Sequence, residues 1–212
     1  MSDRPRIYVL AGVNGGGKSS VGGAAFRAAD ADYYNPDEVA RELIATRPEL
    51  TSAEANAAAW RIGRAQLERA IRERLDFAFE TTLGGNTIAR LLAEAARSEI
   101  EILVWCVGLK SPELHIERVA ARVRRGGHAI PEKIIRQRYD RSRLNLVQLL
   151  PSLTALRVYD NSDHADPEAG GLPTPRLVLH LEAGRILGPE DLSQTPDWAK
   201  PIVAAALQRS LG

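Results

Sequence analysis

Gly12-Val13-Asn14-Gly15-Gly16-Gly17-Lys18-Ser19 has the residue types and spacing G-x-x-x-x-G-K-[ST] of a Walker A phosphate loop. The chemistry of such a loop is capture of a nucleoside triphosphate. Glycines let several backbone N–H groups converge on one anion, and a following helix adds the positive end of its dipole. Lys18 then reaches the β- and γ-phosphates, and the Ser19 hydroxyl holds Mg²⁺. The pattern predicts binding of ATP or GTP, with Gly12, Asn14, Gly15, Gly16, Gly17, Lys18, Ser19 and Ser20 around the phosphates. A Gly-rich connection with an incidental lysine is the alternative, and it leaves the full pattern unexplained.

The loop works only between a strand and a helix. Ile7-Tyr8-Val9-Leu10-Ala11 reads as a buried parallel strand, and Ser19 to about Ala29, rich in Ala and free of Pro, reads as a helix. Further strands are expected near residues 31–35, 76–81, 100–108 and 155–160. Helices are expected from Pro36 to about Ile44, from Ser52 to about Leu75 with a cap near Thr51, and over about 86–98, 111–124, 132–149 and 197–210. A hairpin is expected where Leu177–Leu181 and Arg185–Leu187 flank Glu182-Ala183-Gly184. Residues 161–175, rich in Asp, Gly and Pro, read as a surface loop. Apolar strands alternating with helices predict an α/β fold, a three-layer sandwich around a mainly parallel sheet. Only short connections separate the elements, so one P-loop domain is expected over 1–212.

At 212 residues, with 44% hydrophobic and 26% charged residues, the chain has an ordinary globular composition. The single cysteine, Cys106, lies in an apolar run and excludes an intrachain disulfide; a buried thiol is expected. Met1 to Arg6 runs straight into the first strand, which leaves no room for a signal peptide, and no stretch is long enough for a membrane span. A cytosolic setting is expected.

In an open parallel sheet, ligands bind beyond the carboxyl ends of the strands. That rule selects two acids. Asp37 follows the second strand in Tyr34-Asn35-Pro36-Asp37-Glu38, and Glu80 ends the third in Phe77-Ala78-Phe79-Glu80. Each also has a plain structural use, Asp37 as a first-turn carboxylate on a helix dipole and Glu80 as a locally paired strand-end acid. The fourth strand ends in Gly108-Leu109-Lys110, with no acid in the Walker B position that motor ATPases and switch GTPases use. A kinase instead needs a base for an acceptor hydroxyl, an acceptor pocket and a cationic lid.

The lid has a candidate. Between Arg118 and Arg143 stand eight arginines and one lysine against two acids, on a chain of net charge +1. Arg118, Arg122 and Arg125 recur on one helical face, Gly126-Gly127 supplies a hinge, and a second Arg-rich helix follows. Closure of this segment, about 118–143, would bring Arg122 and Arg125 to the transferring phosphoryl and Arg118 to the adenine or phosphates. A solvated helical hairpin is the alternative. Nucleic-acid binding is disfavoured because only Tyr139 among the aromatics lies in the basic stretch.

Together these residues resemble the zeta-toxin-like family of small P-loop kinases. The resemblance is carried by the Walker A loop with Asn14, by Asn35-Pro36-Asp37-Glu38 and by Phe79-Glu80-Thr81-Thr82-Leu83-Gly84-Gly85. It extends through Gly126-Gly127-His128-Ala129-Ile130-Pro131 and the Arg-x-Arg-Tyr-x-Arg-Ser-x-x-Asn-Leu run, and spans roughly residues 5–162. It implies a nucleoside- or small-molecule-kinase-like fold, ATP and Mg²⁺ as cofactors, and a nucleotide sugar such as UDP-N-acetylglucosamine as acceptor. Asp37 matches the catalytic base, Glu80 the acid that holds substrate, and Lys18 the phosphate-loop lysine. Thr82 and His128, in matching segments, are assigned with them to the acceptor. Two lid arginines are implied, with Arg118, Arg122, Arg125 and His128 competing for those places. An antitoxin protein is a possible partner; nucleic acid and membrane are not expected. An ATPase or nucleotide switch, a nucleic-acid-associated NTPase, or a kinase of another hydroxylated metabolite are the alternatives. The C-terminal part, with its hairpin and helix over about 176–210, says little about function. Asp163, His164 and Asp166 read as turn residues rather than metal ligands.

Overall fold

Strands β1 (Arg6–Ala11), β2 (Tyr33–Tyr34), β3 (Phe77–Thr81), β4 (Glu101–Gly108), β5 (Ala155–Asp160), β6 (Arg176–Glu182) and β7 (Arg185–Gly188) lie in one sheet, in the order β2-β3-β1-β4-β5-β6-β7. The structure, a computed structural model, describes residues 4–18, 33–163 and 175–211. The first five strands of that order pair in parallel, and β6 and β7 extend the edge antiparallel. Helices α1 (Pro36–Thr46), α2 (Ser52–Glu73), α3 (Asn86–Arg97), α4 (Pro112–Arg124), α5 (Glu132–Leu149) and α6 (Lys200–Leu211), with a 3-10 turn over Leu150–Ser152, complete the described elements.

β1 sits between β3 and β4, and the chain leaves it toward one side of the sheet before crossing to the other. This is the switch point of a doubly wound sheet, where a crevice opens beyond the carboxyl end of the central strand. Ile7, Val9 and Ala11 face a large core built with Leu91 and Leu92 of α3, Leu146 of α5 and Ile202 of α6. Leu10 faces the opposite side with Ala78 and Val107. Burial on both faces explains why β1 reads as a continuous apolar run rather than an alternating one.

Local chemistry sets the helix ends. Asn35 caps α1 ahead of Pro36, Thr51 and Glu54 form a reciprocal capping box on α2, and Ser111 caps α4 ahead of Pro112. α2 stops at Glu73 rather than near Leu75 because Arg74 turns left-handed and its N–H bonds to the Ala70 carbonyl. α6 starts at Lys200 rather than 197. Pro201 is tolerated only in a first helical turn, which fixes the start there. In the β6–β7 hairpin both Ala183 and Gly184 take positive φ, so the turn draws on two residues and not on the glycine alone.

The helix expected over 19–29, Ser19, Ser20, His164, Asp166 and most of the expected loop up to 175 lie outside the described residues. Among the described residues no helix is long and apolar enough to cross a membrane. Cys106 is buried, and burial pushes its thiol up to about 12, so it is no nucleophile.

Candidate active site

The glycine loop leaves β1 at the switch point, where the Gly12 N–H bonds to the Thr81 carbonyl at 3.1 Å. Three of its glycines, Gly12, Gly15 and Gly17, are sterically required, the first and last most sharply. Gly12 has φ +143°, and a Cβ there would stand 2.2 Å from the Val107 carbonyl oxygen. Gly17 has φ +85°, and a Cβ would stand 2.2 Å from Asn161 Nδ2. Gly17→Ala is therefore expected to cost about 1–3 kcal/mol in the loop and to weaken nucleotide binding accordingly. Calorimetric titration with ATP checks this; unchanged affinity would contradict the geometry.

Lys18 folds back into its own loop. Its Nζ donates to the Gly12 carbonyl at 2.7 Å and to the Val13 carbonyl at 3.4 Å, and the residue is only 6% exposed. It also pairs with Glu80 Oε1 at 3.3 Å, while the Tyr33 hydroxyl donates to Glu80 Oε2 at 3.0 Å. The strand-end acid thus neutralises the phosphate-loop cation.

Three elements brace the loop from outside. Arg138 of α5 donates from Nη1 to Asn14 Oδ1 at 2.7 Å, His115 of α4 donates from Nδ1 to the Asn14 carbonyl at 2.9 Å, and Asn161 donates from Nδ2 to the Gly16 carbonyl at 2.9 Å. Asn161 in turn follows Asp160, which accepts from Trp198 Nε1 at 3.1 Å and from the Ser162 hydroxyl. The Trp198 ring lies against Gly108, where a Cβ would stand 2.3 Å from it. The segment after β5 therefore buttresses the strand ends that carry the phosphate loop.

Burial drives the His115 imidazole down to about 4, with the Lys18 and Arg118 charges acting in the same direction and its bond to Asn14 opposing. The folded protein keeps this ring neutral while the unfolded chain binds the proton near 6.5. Between those values the unfolded state holds more protons, so stability falls as the pH drops from about 6.5 to 4, by up to about 3 kcal/mol. Urea denaturation at stepped pH should show this loss in the wild type and a smaller one in His115→Gln. An equal pH slope in both would refute the assignment.

Asp37 does not cap its own helix. Asn35 Oδ1 takes that place by accepting the Asp37 N–H at 2.9 Å, which leaves the carboxylate free to face Arg122 Nη1 at 3.5 Å. Both side chains are about one-third exposed, so the pair contributes little stability. Arg122 also donates from Nη2 to the His128 carbonyl at 3.3 Å, and its buried Nε has no hydrogen-bond partner among the described residues.

Asp37, Glu80, Thr82, His128 and Arg138 share the lining of one cavity of about 780 Å³ beside Asn14 of the phosphate loop. Its floor is fixed by Asn145, whose Nδ2 donates to the Leu83 carbonyl at 2.6 Å and the Gly85 carbonyl at 3.2 Å. Burial disfavours the Arg138 charge, and the Asp37 carboxylate favours it. Two carboxylates, the Arg138 guanidinium and a hydroxyl thus share the cavity beyond a phosphate loop, with Arg122 paired to one of the carboxylates, an arrangement able to orient a hydroxyl against a bound phosphoryl group.

The structure brings together Lys18, Asp37, Glu80, Thr82, Arg122 and His128. Arg118 lies over the loop, its Cβ near Gly15, and donates from Nη2 to the Asp163 carbonyl at 3.2 Å. Arg125 does not join them: it is exposed at the C-cap of α4 and, unlike Arg122 and Lys18, makes no ion pair with an acid of the site among the described residues. Gly126, with φ +88°, breaks the helical path immediately after it. Arg138, His115, Asn161 and Tyr33 are the contributors that sequence spacing did not single out. For Arg138 a signal existed, because it falls in the Arg-rich stretch of the matching run.

A Walker A loop at the switch point of a parallel sheet, with acids and arginines closing a pocket beyond it, defines a P-loop phosphotransferase of the kinase type. The chain belongs to the zeta toxin family, whose model matches residues 1–166. An uncharacterized protein of Haemophilus influenzae is 30% identical over 132 residues, which is 60% of this chain and 88% of that protein. Among solved structures, the AvrRxo1-ORF1:AvrRxo1-ORF2 complex with ATP superposes with TM-score 0.65 at 14% identity, over 96% of this chain; this chain spans 64% of the length of that one. The PezAT toxin–antitoxin system of Streptococcus pneumoniae superposes with TM-score 0.57 at 14% identity, over 98% of this chain and 86% of that one. At such identities the superpositions establish the common fold.

Proposed function

We propose that this protein is an ATP-dependent kinase that transfers the γ-phosphoryl group to a hydroxyl of a nucleotide sugar, UDP-N-acetylglucosamine being the first acceptor to test. The observation that supports the reading is the Asp37 carboxylate, relieved of capping by Asn35, paired with Arg122 at 3.5 Å and belonging to a residue that lines the same cavity as Glu80 and Arg138.

ATP fits the loop present: a buried Lys18 amine and three sterically enforced glycines form a cradle for an anion. In this scheme Lys18 leaves Glu80 for the β- and γ-phosphates, and the freed Glu80 takes a hydroxyl or amide of the acceptor. Asp37 orients the attacking hydroxyl and accepts its proton late, as the new phosphorus–oxygen bond forms and the bond to the ADP leaving oxygen breaks. Arg122 and Arg138 offset charge on the transferring phosphoryl. Mg²⁺ would supply further charge neutralisation at the phosphates; Ser19, its expected ligand, lies outside the described residues.

The lack of an acid at the end of β4, where the chain passes into Gly108 and Leu109, supports acceptor phosphorylation over water activation. The single domain over 1–212 and a cytosolic setting belong to the same proposal. A protein antitoxin is a further proposed partner, supported by the PezAT likeness. Incubation of the protein with ATP and a panel of nucleotide sugars and nucleosides, read by mass spectrometry, tests the function. Addition of one phosphoryl group to a nucleotide sugar is expected. Phosphorylation of none of the panel, with ATP consumed at an undiminished rate, would overturn it.

A further inference from the structure

α2 buries Ala55, Ala59, Gly63, Leu67 and Ala70 along one stripe. Trp60 stands off that stripe and is 45% exposed, so packing among the described residues does not account for a tryptophan there. It does, however, line the cavity that holds Asp37 and Glu80, together with Asn56 and Arg64 of the same helix. These three recur at intervals of four, which places them on one face.

Their chemistry is complementary. Trp60 offers a flat apolar face. Asn56 donates from Nδ2 to the Ser52 carbonyl at 2.7 Å, which leaves its carboxamide oxygen without a partner among the described residues. The Arg64 guanidinium lies 5.9 Å from the Trp60 ring centroid, with its Nε on Glu68 at 2.8 Å and its side chain 41% exposed beside the ring. A stacking ring, a polar edge reader and a forked cation side by side match a planar base attached to phosphate.

We infer that the α2 face Asn56–Trp60–Arg64 is the subsite for the base and adjacent phosphate of the acceptor, with Trp60 stacking on the base and Arg64 on the diphosphate. The inference rests on the cavity being the acceptor site of a kinase, and it adds the residues that would select a nucleotide-linked sugar over a free one. The reacting hydroxyl lies at the Asp37 and Glu80 part of the wall, and the base at the α2 part. A cavity of about 780 Å³ is large for a bare sugar and falls within the range for ligands of nucleotide size.

The test compares UDP-N-acetylglucosamine with free N-acetylglucosamine as acceptors for wild type, Trp60→Ala and Trp60→Phe. Loss of base stacking predicts that Trp60→Ala raises the KM for the nucleotide sugar about 5- to 150-fold, leaves the KM for ATP in place and does not alter use of the free sugar. Trp60→Phe, which keeps a ring, should recover most of the loss and covers the case in which the alanine variant folds poorly. An unchanged acceptor KM would overturn the subsite, as would a rise confined to the KM for ATP, which would give the ring to the adenine instead. A binding measurement separates this failure from that of the kinase reading. With a non-hydrolysable ATP analogue saturating the phosphate loop, UDP should quench tryptophan fluorescence in the wild type and not in Trp60→Phe. Quenching by UDP without any phosphorylated product would keep the subsite and remove the kinase, whereas product formation without Trp60-dependent quenching would do the reverse.

Discussion

Asp37→Asn is expected to lower acceptor phosphorylation by about 10²–10⁴-fold, the usual range for a positioned base, while ATP binding stays nearly unchanged. An alcohol gives up its proton late in phosphoryl transfer, so the carboxylate acts mainly by orienting the hydroxyl and receiving the proton as the phosphorus–oxygen bond forms. Asparagine keeps the shape and one acceptor oxygen but cannot take the proton. The structure makes the variant clean. Asn35, not Asp37, caps α1, so the helix keeps its cap, and the ion pair that Asp37 makes with Arg122 is partly exposed and of small energetic weight. Single-turnover phosphorylation alongside an ATP titration checks both halves. Near-normal transfer by Asp37→Asn would reduce Asp37 to stabilising the helix dipole.

Removal of Lys18 is expected to have two separable consequences. Lys18→Ala takes away the cation that follows the γ-phosphoryl, and transfer should fall by at least about 10²–10³-fold, as for loss of one charge-stabilising donor. The Lys18–Glu80 pair adds a consequence for stability. Glu80 is 10% exposed and pairs with Lys18 at 3.3 Å, so the variant strands a buried carboxylate whose remaining partner is the Tyr33 hydroxyl. That should cost about 1–3 kcal/mol. Adding Glu80→Gln to Lys18→Ala should restore the Tm and not the activity. A double variant no more stable than the single one would show that the Lys18–Glu80 pair carries no stability.

The central architecture was legible because local rules suffice there. The apolar run at Ile7–Ala11, the glycine spacing after it and the strand-end positions of Asp37 and Glu80 each follow from a few adjacent residues, and the sheet places them as the carboxyl-end rule requires. What escaped depends on contacts far apart in sequence. Arg138 reaches Asn14 across 124 residues, Asn161 reaches Gly16 across 145 and His115 reaches Asn14 across 101. No periodicity within α4 or α5 announces which side chain points at the loop. The Lys18–Glu80 pair was hidden for another reason: both residues were assigned to ligands, whereas in the structure their opposite charges compensate each other. Arg125 shares a helical face with Arg118 and Arg122 by spacing, but α4 ends at Arg124, and beyond a helix end the 3.6-residue rule no longer fixes direction.

The most direct measurement counts ADP and phosphorylated acceptor in the same reaction, with and without a nucleotide sugar. A kinase built on Asp37 and Glu80 should release ADP in equal amount to phosphorylated acceptor, consume little ATP when the acceptor is left out, and lose both products together in Asp37→Asn. ADP and free phosphate formed at the same rate with or without the acceptor, and equally in Asp37→Asn, would contradict it.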